Sequence, residues 1–263
     1  MDRRRIRLAA MSAVACIVFV GVVAWAAIPD LSGAWVMLQV YPRIAQLPLV
    51  GESTQTSYVV QRVDVEQAGA SLAMTDQYCF TVIEESSSLA ATQIPEAFMR
   101  ALRPLPRTAT LLEEGGKTLF EQARYLEVRG AVLENPETDV LPVDAEDPRV
   151  IDQDEDGFPG MTVNVRLFGL LEAQIYVVQR VQYELQGVVV SPDRVSGLIQ
   201  WSDEQNVLAA TSSLLLAGAD SEQDPDPSRH VFVMVRADEE WNCPWLEEHW
   251  REIFGFPLTD EES

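Results

Sequence analysis

Asp152-Gln153-Asp154-Glu155-Asp156-Gly157-Phe158-Pro159-Gly160 is the stretch whose residue types and spacing most directly suggest chemistry. A hard cation such as Ca²⁺ needs several oxygen ligands at short range. Carboxylates at alternate positions of a loop point inward together, and the glycine permits the sharp turn that brings the next backbone carbonyl to the ion. The other reading is an acidic, solvated turn ahead of a strand. A chain this acidic makes such turns often: 41 aspartates and glutamates stand against 19 lysines and arginines, for a formal charge of −22. That balance repels phosphate backbones and anionic lipid heads, so no nucleic-acid partner is expected. His230 and His249 are the only two histidines, which leaves little for histidine catalysis or a multi-histidine metal site.

The aspartate stretch resembles the front of calcium loops of the EF-hand, dockerin and thrombospondin type 3 kinds. The resemblance implies Asp152, Asp154 and Asp156 as side-chain ligands to Ca²⁺, the Phe158 carbonyl as the next ligand, and Gly157 at the turn. It departs at the twelfth position, where an EF-hand places a bidentate glutamate and this chain has Val163. No helical pattern flanks the loop, which implies either weaker binding or a ligand from elsewhere, with Asp144 and Asp147 as the candidates.

The segments around this loop set its location. Arg3, Arg4, Arg5 and Arg7 precede an uncharged apolar run from Leu8 to Ile28. Basic residues before such a run hold the N-terminus inside while the rest crosses. Ala24-Trp25-Ala26 is a small-x-small cleavage site, so residues 1–26 read as a signal peptide. The run is also long enough to remain as an anchor, in which case residues 8–28 tether the chain to a membrane. Both readings put the remainder outside the cytoplasm, in a periplasm or on a cell surface. Cys16 belongs to the leader, leaving Cys79 and Cys243 as an even pair in an oxidising compartment, where a disulfide is expected over two separate thiols.

Alternating valine-rich segments dominate the rest and predict a mainly β protein. Strands are expected at Ala34–Val40, Ser57–Glu66, Gln77–Ile83, Leu126–Leu133, Thr162–Leu167, Gln174–Leu185, Val188–Val190, Gly197–Trp201 and His230–Val235. Helices are expected at Pro95–Leu102 and at Pro244–Phe254, the second capped by Asn242 and closed by Gly255. Leu246, Trp250 and Ile253 form its apolar stripe, to be docked on the sheet or offered to a partner.

Tyr58-Val59-Val60-Gln61-Arg62-Val63 recurs as Tyr176-Val177-Val178-Gln179-Arg180-Val181. At that offset nine of the 19 positions from 51 to 69 are identical. The repeat predicts two related antiparallel β halves, 27–133 and 161–263, closed into a barrel or packed as a sandwich. An acidic, proline-bearing connector at 134–160 separates them, and a short C-terminal helix completes the fold. One face of each copy carries the valines and glutamine. The other carries Arg62 or Arg180, to be read either as paired ligand contacts or as members of cross-strand ion pairs.

Gly33-Ala34-Trp35 at the start of the first strand resembles the Gly-x-Trp motif of lipocalins and related calycin barrels. That resemblance implies an eight-stranded barrel plugged at one end by Trp35 beside an arginine of the last strand, for which Arg236 is the matching position. It also implies an apolar ligand cavity near Trp35. The plain alternative is an ordinary core tryptophan. Beyond the leader, the chain also resembles exported β-rich proteins of predatory and social soil bacteria, through Asp147-Pro148-Arg149-Val150 and the Tyr-Val-Val-Gln-Arg strand, and that likeness brings no activity with it.

The chain has no Gly-x-Ser-x-Gly elbow, and Gly115-Gly116-Lys117-Thr118 lacks the spacing of a phosphate loop. The leading expectation is therefore a non-catalytic, calcium-binding envelope protein with a binding or structural role and a small hydrophobic ligand or an envelope protein as partner. The alternatives are a lipocalin-like carrier of a small hydrophobic ligand and a hydrolase built on carboxylates.

Overall fold

The computed structural model describes residues 28–47, 51–103, 106–216 and 220–255, so the leader and the tether, save Ile28, lie outside the described residues. Among the described residues no helix is long and apolar enough to cross a membrane.

The architecture is mainly β. Strands β1 (Gly33–Leu47), β2 (Gly51–Ala68), β3 (Ser71–Glu85), β5 (Pro106–Glu114), β6 (Lys117–Arg129), β8 (Leu171–Ser191), β9 (Arg194–Ala210) and β11 (Val231–Arg236) pair antiparallel in that order. β11 then pairs back onto β1, which closes an eight-stranded ring. Each ring strand neighbours the next one in sequence, so the connectivity is up-and-down, and closure leaves no free edge in the ring. Of the sandwich and the barrel, the chain forms the barrel. The two Tyr-Val-Val-Gln-Arg-Val copies lie on β2 and β8, four strand positions apart around the ring.

Three short strands build an upper tier on this ring. β7 (Met161–Leu167) pairs with β8 at Leu171–Val177, directly beyond the Gln179–Val188 stretch that β6 occupies on the same edge. β6 and β7 are thus one strand position, interrupted where the chain leaves at Gly130 and returns at Gly160. The acidic connector is therefore an excursion from within one strand position. Gly160 sits so close to β8 that a Cβ there would meet the Val177 carbonyl at 2.4 Å, and its φ of +85° is one that residues with side chains rarely adopt. β4 (Ala90–Gln93) pairs with β7, and β10 (Asp220–Gln223) pairs with the far end of β1.

Of the helices, α1 (Glu96–Ala101) buries Phe98 and Met99 against this upper tier. α2 (Cys243–Phe254) begins at Asn242, whose side chain accepts from the Trp245 N–H, and stops at Gly255 with φ +77°. It docks Leu246, Trp250 and Phe254 on the outer face of the ring against Val36, Leu38, Val60 and Phe80. The expected stripe of Leu246, Trp250 and Ile253 faces the barrel, and Phe254 joins it, deeper than Ile253. Cys79 of β3 and Cys243 of α2 form a disulfide with Cα atoms 5.0 Å apart, pinning the helix to the barrel.

Most strands run further than the sequence expectation, but the one expected at 126–133 ends with β6 at Arg129, where the chain leaves the wall at Gly130. The segments expected at 174–185 and 188–190 are one strand, β8, and β4, β5 and β10 carry no strong alternation in the sequence.

Candidate ligand cavity and cation loop

Inward side chains alternate along each ring strand, and their character changes with height. At one end they are apolar. Trp35, Met37, Val63, Val65, Leu72, Met74, Leu111, Phe120, Leu185 and Phe232 pack together there in one buried cluster. Arg236 closes this end: its guanidinium lies 4.5 Å from the centre of the Trp35 ring and donates to the carbonyls of Ser32, Asp30 and Pro192. The Trp35 indole N–H donates to the Leu31 carbonyl at 2.8 Å. The two residues that the Gly-x-Trp resemblance pairs are therefore in contact.

One step higher, the inward positions turn polar. Gln39 Oε1 accepts from the Tyr41 hydroxyl and from Gln61 Nε2, both at 2.7 Å, and Gln61 Oε1 accepts from Arg107 Nη2 at 2.7 Å. Arg107 is ion-paired with Asp76, both side chains 2% exposed, and lies over the rings of Tyr125 and Tyr183. Burial acts on both partners, lifting the Asp76 carboxyl and lowering the Arg107 guanidinium to about 10. Glu127 takes Nε and Nη2 of Arg129, each at 2.8 Å. Burial works against the charge on Arg129, but Glu127 beside it and the Tyr78 hydroxyl hold the guanidinium above its ordinary value.

Above this layer the barrel is hollow. A cavity of about 230 Å³ is floored by Tyr41, Tyr78, Arg129 and Gln179. Its walls include Val59 and Ile83 from the ring, Ile94, Phe98, Met99 and Leu102 around α1, and Val163, Val165 and Leu167 from β7. The upper tier thus exists as a wall: β4, α1 and β7 stand where β5 and β6 no longer reach. Arg43 also faces the cavity, paired with Asp203 at 2.9 Å and lying over Trp201. Leu89, Phe168, Leu170, Leu214 and Leu216, in the turns and short 3₁₀ segment beside these walls, are exposed.

None of the three ligand residues expected from sequence lines this cavity. Trp35 belongs to the filled end, so the hollow lies at the opposite end from where the Gly-x-Trp resemblance places it. Arg62 and Arg180 stand on the outer face, because the period-two alternation that turns Gln61 and Gln179 inward turns them out. Arg180 pairs with Glu204 across the β8–β9 ladder at 2.9 Å and donates to the Asp139 carbonyl of the connector.

The aspartate loop lies on the excursion just before β7. One oxygen each of Asp152, Asp154 and Asp156 fall within 4.8 Å of one another. Asp152 accepts from the N–H groups of Asp156 and Gly157, and Glu155 and Gly157 have φ of +57° and +90° that make the turn. Asp154 is 9% exposed; its Oδ2 accepts from the Thr162 N–H at 2.9 Å, while its buried Oδ1 has no partner. Burial raises the Asp154 carboxyl, and the neighbouring Asp156 and Asp152 carboxylates raise it further. Phe158 stacks its ring on Tyr176 with centroids 4.5 Å apart, and its N–H donates to Asp156. Asp147 is held by Arg149 through three hydrogen bonds, so it is not free to serve as the extra ligand. An orphaned carboxylate oxygen facing two more carboxylates fits a hard cation. Gln153, inside the same loop, accepts from the Gly130 N–H and donates to the Ala101 carbonyl at the end of α1.

Neither a protein-family model, nor a curated protein, nor a solved structure matches this chain.

Proposed function

We propose that this chain is a non-catalytic binding protein of the cell envelope that holds one small, largely apolar ligand in the upper tier of its barrel. The observation that carries the reading is the change along the barrel axis from a filled apolar end, through a hydrogen-bonded polar layer, to an apolar-walled hollow. A barrel that needed only stability would fill both ends, since buried apolar volume left empty forfeits packing contacts. The closed up-and-down ring and the Arg236–Trp35 contact support the likeness to lipocalin-type carriers. The arginine-led leader and the disulfide support an extracytoplasmic site for the chain. Of the carboxylates beside the hollow, Asp203 and Glu127 are each held by an arginine, and Glu85, behind the wall, accepts from Gln55 and Thr92; none stands free on the lining, which favours binding over acid–base catalysis.

The experiment is a fluorescence titration with the uncharged dye N-phenylnaphthylamine. The wild type is expected to bind it saturably at one site, and Val165→Trp, which fills the hollow from β7, to weaken binding at least about tenfold while melting at a similar temperature. Ile94→Trp fills the same space from the segment before α1 and serves if Val165→Trp does not fold. Undiminished binding in both folded variants would contradict the proposal.

A second reading concerns the aspartate loop, where the unpartnered Asp154 Oδ1 favours a bound Ca²⁺. The ion would supply the positive charge that three converging carboxylates lack, with Asp152, Asp154 and Asp156 as its side-chain ligands and the Phe158 carbonyl beside them. Gln153 would then hold α1 and the neck at Gly130 in place, so the ion's role is to order one wall of the cavity.

A further inference from the structure

The charges that face the hollow point to the class of ligand head group, an inference that rests on the cavity reading above. Three charged residues line it: Arg43, Arg129 and Asp203. Arg43 and Asp203 neutralise each other at 2.9 Å, and Arg129 is neutralised by Glu127 immediately behind it. Below the floor, Arg107 is likewise matched by Asp76. Each buried cation therefore already has its anion. An anionic head entering the cavity would be a buried charge without a counter-ion. A cationic head would find no free carboxylate on the lining either, since Glu85, the one carboxylate here without an arginine, stands behind Gln55 and Thr92 and accepts from both. The net charge of the chain, −22, adds long-range repulsion against an anion.

Uncharged hydrogen-bonding groups are plentiful on the same surface. Tyr41, Tyr78 and Gln179 stand at the floor, with Gln205, Ser57 and Thr81 higher up the walls. Tyr41 already donates to Gln39, Gln179 to Gln205 and Thr81 to the Met99 sulfur, and each keeps an acceptor oxygen for a hydroxyl or an amide, while Ser57 can also donate. Above the floor the α1 and β7 side is apolar, whereas Arg43, Gln55 and Ser221 line the β1–β2 side, so an amphiphile would set its polar end on the floor and its tail against α1 and β7. We infer that the ligand is a neutral amphiphile, an alcohol or amide on an apolar body, and that the cavity selects against ionised carboxylates and amines of the same body.

The test is displacement of bound N-phenylnaphthylamine at neutral pH by decanol, decanamide, decanoate and decylamine. Decanol and decanamide are expected to displace the dye at concentrations at least about tenfold lower than decanoate or decylamine. Decanoate or decylamine matching or exceeding the neutral pair would overturn the inference, and so would dye that binds but yields to none of the four. Absence of dye binding to the wild type would instead count against the cavity reading itself. Asp203→Asn, which unpairs Arg43 at a position where both side chains are only 22–23% exposed, provides the internal control. It is expected to improve decanoate relative to decanol at least about tenfold; an unchanged ratio would mean that charge matching does not set the preference.

Discussion

Gly130 and Gly160 stand back to back at the point where the acidic excursion leaves and rejoins the wall of the barrel. A Cβ placed on Gly130 would fall 2.8 Å from the Gly160 Cα, and both glycines face the Val177 carbonyl of β8. This neck lets one strand position be interrupted without opening the ring, and it sets the aspartate loop beside α1. Gly160→Ala is expected to destabilise by about 3 kcal/mol or more, combining the left-handed backbone cost with a clash against backbone that cannot move aside. Gly116→Ala has a similar φ of +77° but open space around it, and is expected to lose only about 1 kcal/mol. Urea unfolding of the two variants measures the difference; equal losses would show that the neck is not tightly packed.

Arg236 ties Trp35 to three backbone carbonyls and to Asp193 at 2.9 Å. Arg236→Ala is expected to cost about 1–2 kcal/mol, mostly from the lost contact with the indole face and from exposed hydrogen bonds that water replaces only in part. Arg236→Lys should recover little of it, because an ammonium cannot span the same acceptors in one plane. Full recovery by lysine would mean that charge alone matters here.

The Cys79–Cys243 bridge closes a loop of 164 residues. In the chain-entropy account its loss lowers stability by about 4–5 kcal/mol. Denaturation of Cys79→Ser/Cys243→Ser against the oxidised wild type reads this directly. An unchanged unfolding midpoint would show that α2 is held by Leu246, Trp250 and Phe254 alone.

Arg149 donates to Asp147 and holds its carboxyl at about 2, below the ordinary carboxylate range near about 4. The folded state therefore gives up this proton more readily than the unfolded chain. The contribution to stability is complete above about pH 4 and is lost as pH falls toward about 2. Asp147→Asn is expected to flatten the pH dependence of stability in that window alone. The pair lies at the surface, partly open to solvent, so the effect is small, and salt should weaken it further.

Ca²⁺ is expected to raise the melting temperature of residues 27–263, and the double variant Asp154→Asn/Asp156→Asn to abolish that rise and the heat of calcium binding. Without the ion, the double variant should melt no lower than the wild type, because it removes two of three carboxylates that repel one another. No calorimetric heat with the wild type would reduce the loop to an acidic turn.

Much of the wall was legible in the sequence and the hollow was not. Alternation around Gln61 and Gln179 gave the inward and outward faces of β2 and β8 correctly, and Asn242 and Gly255 marked both ends of α2. β5 escaped because Pro106 opens it and Leu111-Leu112-Glu113-Glu114 breaks the alternation, although Arg107, Ala109 and Leu111 all turn inward. The neck escaped because Gly130 and Gly160 meet only in three dimensions. An inward valine reads the same whether it touches another side chain or lines a void, so Val59 and Val163 could not announce a cavity. One signal was present: glutamines among valines on the buried face of β2 and β8 mark where the barrel interior stops being purely apolar.

The methionine methyl groups report directly on whether a ligand occupies the upper tier. Met99 lines the hollow, while Met37, Met74 and Met234 lie in the filled end. In a titration of ¹³C-methyl-methionine protein with decanol, the Met99 resonance should shift saturably while those of Met37, Met74 and Met234 stay in place. A Met99 signal that does not move, or equal movement at all four, would contradict a ligand held in the upper tier of the barrel.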